Sequence, residues 1–409
     1  MKLTRSILAS ALLTALVVPA AHAEIAIDVI GGSEITFEGL VQADGNWYDN
    51  DVMDLNAGVP TANGGNGKDS EFEMRRAELV VKGKGPGNYE WVVGYDAKAD
   101  KFLDTNIKYK LGGNSNNYFI VGQYKQPNSL EELSSTKNND FISKSSVTNT
   151  YAVARRLGGG LAFGDTNWSV TGSAFGRELT RNLAHGSGFG VRGTFAPINE
   201  GGNVLHFGLS YATYDTDADT LRLRARPNAD LATGRLVDSG NLTNTDRIGV
   251  LGAEAMYITG PFKAQGEYYN ATVDRYDSAR NNYKSDGWYV SGIWNVSGEK
   301  FGYKGGVPTT SLPDEPGRGM WQLGVRYDYI DLDDGSLIAP ATPTGRPTVD
   351  GVLGGDMSTW TVGVNYYWRS NFKLALNYVM ADSTKYNATS RTFVNDDPNI
   401  LEARAQFYW

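Results

Sequence analysis

The chain has 409 residues, 41% hydrophobic and 21% charged, with 49 glycines, 23 tyrosines and 9 tryptophans but no cysteine. The missing thiols exclude disulfide scaffolds, cysteine-ligated zinc, iron–sulfur clusters and thiol catalysis, and a formal charge of −8 leaves no electrostatic footprint for nucleic acid. Length alone suggests two or three domains at roughly 150 residues each, yet glycine well above the roughly 7% usual in globular chains advertises no large apolar core.

Residues 1–23 read as a targeting segment. Lys2 and Arg5 make a positive start, an apolar run follows from Ile7 to Val18, and Ala21-His22-Ala23 meets the small-x-small cleavage rule. The run is short for a membrane helix of ~20 residues, so cleavage after Ala23 is expected. Its loss removes two bases, Lys2 and Arg5, and leaves 24–409 more acidic. No later stretch approaches the roughly 18 consecutive apolar residues of a membrane helix. The exported chain is then either soluble or a membrane β-barrel.

From there apolar residues recur at spacing two. Segments of this kind begin near 34, 71, 88, 103, 117, 149, 166, 187, 203, 246, 261, 286, 318, 357, 371 and 400. In the second, Arg75 and Arg76 are adjacent, so one must face inward in either register. In the third, Tyr89, Trp91, Val93 and Tyr95 alternate with Asn88, Glu90, Val92, Gly94 and Asp96. The fifth places Lys125 on an expected inward series with Asn117, Phe119, Val121 and Gln123. The connection 125–148 then contains Leu130-Glu131-Glu132-Leu133, a stretch that a fully solvated loop does not need. It reads either as a surface loop packed on its neighbours or as a constriction folded into the lumen.

Further along, Arg177 and Arg192 fall opposite their strands' apolar faces, and His206 sits between Leu205 and Phe207 as a lumen-facing residue. The long connection 215–245 carries Arg222, Arg224 and Arg226. If extended, residues two apart share one face at about 6.6 Å, which makes a ladder of guanidiniums. Arginine suits phosphate because its planar fork donates two hydrogen bonds and keeps its charge. The same run also fits an exposed basic loop touching lipopolysaccharide phosphates. After 297–317, rich in glycine and proline, alternation returns with Arg326 and Lys373 on polar faces. The last strand alternates Leu401, Ala403, Ala405, Phe407 and Trp409 with Glu402, Arg404, Gln406 and Tyr408.

Such alternation means strands with one face in an apolar medium and the other in a polar one. Sixteen segments is an even number, as single-chain bacterial barrels require. With the N-terminus periplasmic, the long polar connections 49–70, 125–148, 215–245, 331–356 and 381–399 all fall outside. The periplasmic turns are then short, with 297–317 as the exception. A barrel of this size encloses a watery lumen unless something narrows it. Bases on the polar register suggest anion preference, which depends on the charge at the narrowest section and not on the total.

The chain resembles the phosphate-selective porin family (porins O and P) of Gram-negative outer membranes. The resemblance is carried by Met74-Arg75-Arg76-Ala77-Glu78-Leu79, by Gly122-Gln123-Tyr124-Lys125-Gln126-Pro127 with Leu130-Glu131-Glu132, and by Ser297-Gly298-Glu299. Met320 to Tyr327 with Ile330-Asp331-Leu332, and Leu376-Asn377-Tyr378-Val379 before Ala381-Asp382, add to it. It implies an all-β transmembrane antiparallel barrel of about 16 strands, assembled as homotrimers, passing inorganic phosphate or related anions passively. It also implies that 125–148, 215–245 and 297–317 fold inward. By resemblance Arg75, Arg76, Lys125 and Ser129 match the central anion-binding cluster, Asp96 a carboxylate that modulates it, and Arg222, Arg224 and Arg226 the anion funnel. Phe141-Ile142-Ser143-Lys144 departs from the Glu-Arg pair usual there, and Ser134–Lys137 is only partly similar. These departures imply a wider constriction or a preference shifted to diphosphate or another anion.

The domain reading is a signal peptide at 1–23 and one barrel over 24–409. The functional expectation is a passive anion channel of the cell outer membrane, in contact with lipid and lipopolysaccharide, without nucleic acid, cofactor, metal or catalytic residues. The alternatives are a general or other-solute porin and an outer-membrane barrel enzyme. The last needs a nucleophile–histidine constellation, and the mature chain offers only His185 and His206. Gly83-Lys84-Gly85-Pro86-Gly87 lacks the strand–loop–helix context of a phosphate-binding loop and reads as a turn.

Overall fold

The computed structural model describes residues 27–29, 32–63, 65, 68–112, 115–180, 186–276, 281–310, 312–313, 317–340, 342 and 345–409. The leader expected at 1–23 and His185 lie outside them. Among the described residues, sixteen strands form one closed antiparallel barrel. They are β1 (Ser33–Asp49), β2 (Ser70–Lys84), β3 (Tyr89–Asp96), β4 (Lys101–Lys110), β5 (Tyr118–Lys125) and β6 (Arg155–Gly164). Next come β7 (Trp168–Phe175), β8 (Gly188–Glu200), β9 (Asn203–Asp215), β10 (Thr245–Thr259) and β11 (Phe262–Arg275). The wall is completed by β12 (Tyr283–Asn295), β13 (Met320–Ile338), β14 (Thr348–Trp368), β15 (Phe372–Asn387) and β16 (Asn399–Tyr408).

Period two decides which side of the wall each residue takes. Phe72, Leu79, Ile107, Phe195, Leu209, Val290 and Leu376 are exposed on the outside. Gln42, Arg192, His206, Glu267, Gln322, Arg326, Asn365 and Glu402 are buried within the barrel. The inside is therefore polar and the outside apolar, the pattern lipid demands. Closure joins β1 to β16 from Leu40↔Tyr408 to Asp49↔Asn399. Beyond the last pair, Gly39 and Trp409 exchange backbone hydrogen bonds at 3.1 and 3.2 Å. The Trp409 ring lies so close that a Cβ on Gly39 would stand 2.0 Å from it.

Two expected boundaries differ. The sixth strand begins at Arg155 and not near 149, because Ser145 caps a helix, Ser146–Tyr151, by accepting the Thr148 N–H. The fourteenth begins at Thr348, because β13 and β14 pair on to Ile338↔Thr348 across a bulge after Asp331. Most of the expected loop 331–356 is thus a hairpin. The face assigned to β5 is corrected as well. Phe119 and Val121 are exposed outside, whereas Ile120 and Tyr124 are buried. Alternation breaks at Gly122, whose φ of +123° and backbone approach to Thr105 exclude a side chain.

The three connections expected to fold inward all touch lumen-facing side chains. The loop after β5 carries helix α1 (Leu130–Leu133) and helix α2 (Ser146–Tyr151). It is pinned to the wall by Lys263–Asp140 at 2.7 Å, Asn365 to the Asp140 carbonyl at 2.7 Å and Gln406 to the Lys137 carbonyl at 2.8 Å. The loop after β9 meets the wall through Asn228, whose amide donates to Asp328 at 2.5 Å. The connection after β12 sends Tyr303 to His206 at 2.7 Å and the Gly306 carbonyl to Arg192 at 2.7 Å. Behind these contacts, Val147, Tyr151, Leu223, Val237, Tyr269, Ile330 and Met357 form one apolar cluster, and Leu130, Phe141, Met256, Ile293 and Phe301 a second. Packing fills that part of the lumen. An open cavity lies against β1–β6.

Candidate functional site

Arg75 and Arg76 owe their common direction to a register shift. Gln42 pairs with Arg76 and Ala43 with Met74, so Arg75 is the extra residue of a bulge. Met74 and Leu79 are exposed outside, while both arginines reach carboxylates within. Arg75 donates from Nε at 3.3 Å and Nη2 at 2.8 Å to Asp230 Oδ2, and Arg76 pairs with Glu78 at 3.0 Å. Alternation alone sent only one of them inward; the bulge sends both.

Asp230 comes from the loop after β9. Burial pushes its carboxyl up, but Arg75, then Arg404 and Arg76, hold it at about 2. Arg404 is itself gripped by Asp44 through two bonds, 2.7 and 2.6 Å. Around this point Arg75, Arg76, Arg226 and Arg404 face Asp44, Glu78, Asp230 and Glu402.

Toward the loop end, Arg222 and Arg224 are exposed and Arg226 is half-buried, with Leu223 and Ala225 buried between them. Arg222 makes two hydrogen bonds to Asp238. Arg235 lies in the field of Arg226 and Arg224. Burial, with that repulsion, lowers its guanidinium to about 10. Arg226 in turn feels both Asp230 and Arg75. The cationic run therefore meets the Arg75–Arg76 bulge.

Lys125 ends β5 where the chain turns inward, and its Nζ donates to the Glu132 and Ser134 carbonyls. Lys144 pairs with the Glu132 carboxylate. Burial raises that carboxyl, but Lys144 and Lys125 bring it down to about 2. Ser129 is fully buried and caps α1, accepting the Glu132 N–H at 3.0 Å and donating to Glu267 at 3.3 Å. Asp96 is also buried, accepting the N–H groups of Ala77, Lys98 and Ala99 at 3.2, 3.0 and 3.3 Å. Both are occupied in shaping backbone. Arg177 lies past the end of β7 and is exposed, not on the inward register. Arg192, Arg326 and Lys373 are inward and paired: Arg192 with Glu254, Arg326 with Glu131, and Lys373 with the Asn139 carbonyl at 2.5 Å.

Below the loop, a cavity of about 880 Å³ opens against β1–β6. Lys82, Lys125 and Arg155 line it together with Glu38, Glu78 and Asp104. Lys82 pairs with Glu38 at 2.6 Å and Arg155 with Asp104 at 2.9 Å, and Lys84, Lys108, Lys137 and Lys304 line the cavity too, with Glu34 and Glu90.

A family model described as phosphate-selective porin O and P matches residues 41–409. The chain belongs to that family. Porin O of Pseudomonas aeruginosa is 29% identical over 238 residues, 54% of this chain and 52% of that protein. An uncharacterized protein of Caulobacter vibrioides is 27% identical over 332 residues, 76% of this chain and 62% of its own length. The porin therefore spans about half to three-fifths of these curated relatives. Among solved structures, an expressed OmpT of Vibrio cholerae superposes with a TM-score of 0.57 at 13% identity, covering 94% of this chain and 100% of that one. An anion-selective porin from Comamonas acidovorans gives 0.53 at 10% identity, covering 92% and 100%. At such identities the likeness shows the barrel alone. Family and fold together make the protein a β-barrel of the porin O and P family.

Period-two reasoning missed the porin's loop carboxylates and Arg235. Asp230 and Asp238 sit in irregular chain, where spacing gives no facing. Their signal was the arginine run itself, since close cations call for counter-charges. Phe141-Ile142-Ser143-Lys144 knits loops instead of lining them with cations. The Phe141 ring lies 4.6 Å from the Arg326 guanidinium, and Ser143 Oγ accepts the Asp230 N–H at 3.0 Å.

Proposed function

We propose that the porin is a passive, anion-selective diffusion channel for phosphate or polyphosphate. One observation carries this reading: Arg222, Arg224, Arg226 and Arg235 run toward the Arg75–Arg76 bulge, above a cavity that Lys125 also lines. Anions are drawn along the loop by electrostatic focusing, held partly dehydrated near Arg75, Arg76 and Lys125, and released as the next one enters. Ser129 and Asp96 support that site by fixing the backbone beside it. The anion-selective porin from Comamonas acidovorans and the phosphate-selective family to which the chain belongs agree with this reading.

The same proposal includes a cleaved leader over 1–23, a single barrel over 24–409 and periplasmic short turns. It also includes a homotrimer surrounded by lipid and lipopolysaccharide. A trimer form of the Vibrio OmpT is among the structural neighbours. The channel reading, in preference to an enzyme, is supported by His206, which is engaged on both nitrogens by Tyr303 and Glu254.

A second reading, a general porin without a phosphate site, is favoured by the carboxylates that already pair with Arg75 and Arg76. Reversal potentials across planar bilayers under a chloride gradient separate the first reading from cation selectivity. The proposal expects anions to permeate in preference to cations; cation preference rejects it.

A further inference from the structure

Arg75 does not wait empty for a passing anion. Both donors on one edge of its guanidinium, Nε and Nη2, already meet Asp230 Oδ2. The carboxylate is held there by its loop. The Asp230 N–H donates to Ser143 Oγ at 3.0 Å, and two residues earlier Asn228 donates to Asp328 at 2.5 Å and Thr361 at 3.3 Å. Ala229 and Ala232 on either side are buried. Pore water still reaches the pair, because the Arg75 and Asp230 side chains keep 28% and 20% of their exposure.

We propose that Asp230 is a built-in counter-anion of the constriction, which a permeating anion must displace from Arg75, and that this competition is a determinant of selectivity. The proposal rests on the anion-channel reading above and deepens it.

Chemistry separates the competitors. Asp230 satisfies the guanidinium edge with one oxygen and faces Arg76 and Arg404 as well. Chloride is a single charge on a sphere and cannot place two acceptors on the planar fork. It exchanges a good partner for a poorer one. A tetrahedral oxyanion offers two oxygens to Arg75 and others to Arg76 or Arg226, and a dianion brings the charge that Asp230 gives up. A partly exposed ion pair is weak, so the exchange is open to a stronger ligand and unfavourable to a weaker one. Displacing Asp230 costs every anion the same pair, which a multidentate oxyanion recovers at Arg75, Arg76 and Arg226 and chloride does not.

The test is Asp230→Asn in planar bilayers, read by chloride conductance and by the phosphate concentration that halves it. The amide keeps the shape and leaves the backbone bond to Ser143 in place. Expected are a higher chloride conductance and a half-blocking phosphate concentration about fivefold lower, the change that about 1 kcal/mol represents. Asp230→Glu, which retains a carboxylate, is expected to stay near the unmodified channel. If Asp230→Asn fails to fold, Asp230→Ser carries the same measurement. An anion-selective channel whose chloride conductance and phosphate block ignore the loss of the carboxylate overturns this proposal alone. An unmodified channel that prefers cations, or whose chloride current phosphate leaves untouched, overturns it together with the reading beneath it.

Discussion

Lys125 and Glu132 show how single side chains hold both charge and shape at the narrow section. Lys125 ties its ammonium to two carbonyls of the inward loop, and Glu132 lies between it and Lys144. Lys125→Glu would set two carboxylates against each other and remove a cation from the cavity wall. The anion-over-cation permeability ratio should fall by at least about fivefold or invert, since the fixed charge changes by two units in a partly dehydrated site. Reversal potentials check this; an unchanged ratio removes Lys125 from the site. Acid is expected to act late. Carboxyls held near 2 in Glu132 and Asp230 lie below the ordinary values of about 4.3 and about 3.9. Their contribution to loop anchoring is therefore complete above those values and is lost as pH falls through about 2. Open-state noise should rise below about pH 3, where both carboxylates are lost, and a channel without added noise there would contradict the assignment.

Among the elements, helix α1 has only four residues and depends on the wall for its place. Glu267 of β11 accepts the N–H groups of Leu130 and Glu131 at 2.7 and 2.9 Å, and the Tyr289 hydroxyl at 2.8 Å. Hydrogen bonds to a charged group contribute about 1.5–3 kcal/mol, so Glu267→Ala should cost the loop roughly 3 kcal/mol of anchoring. Frequent brief closures or added open-channel noise are the expected reading, and a channel as quiet as the unmodified one would count against the anchor. The β1–β16 seam makes a second test. Gly39→Val drives a side chain into the Trp409 ring, and overpacking of this kind costs about 1–3 kcal/mol. The folded barrel should unfold at lower temperature in a gel-mobility assay, whereas an unchanged transition would mean that the ring moves aside freely. The strands were legible because lipid outside and water inside write period two along each of them. Lys125 reached the lumen for a different reason from its expected series: the break at Gly122 undid the register, and the turn into the loop restored the direction. The Arg75–Arg76 bulge marks the sequence only as a change of parity between outward Met74 and outward Leu79, which spacing over so short a strand does not resolve.

At the scale of the whole molecule, the acidic total and the cationic pathway describe different places. Much of the lumen is closed by apolar packing of the inward connections, and the cavity along β1–β6 is lined by more basic than acidic side chains. The excess of guanidiniums is concentrated in one loop, at Arg222, Arg224, Arg226 and Arg235. The sequence disclosed the loop arginines through their two-residue spacing. It could not disclose the balancing carboxylates, because Asp230 and Asp238 meet their partners only after an irregular loop has folded back. The central claim is that this loop and the Arg75–Arg76 bulge form an anion site that favours phosphate. Its most direct test is chloride current through the unmodified channel in a planar bilayer, measured as phosphate is added. The account predicts a saturable fall in chloride conductance in an anion-selective pore; a chloride current indifferent to phosphate would contradict it.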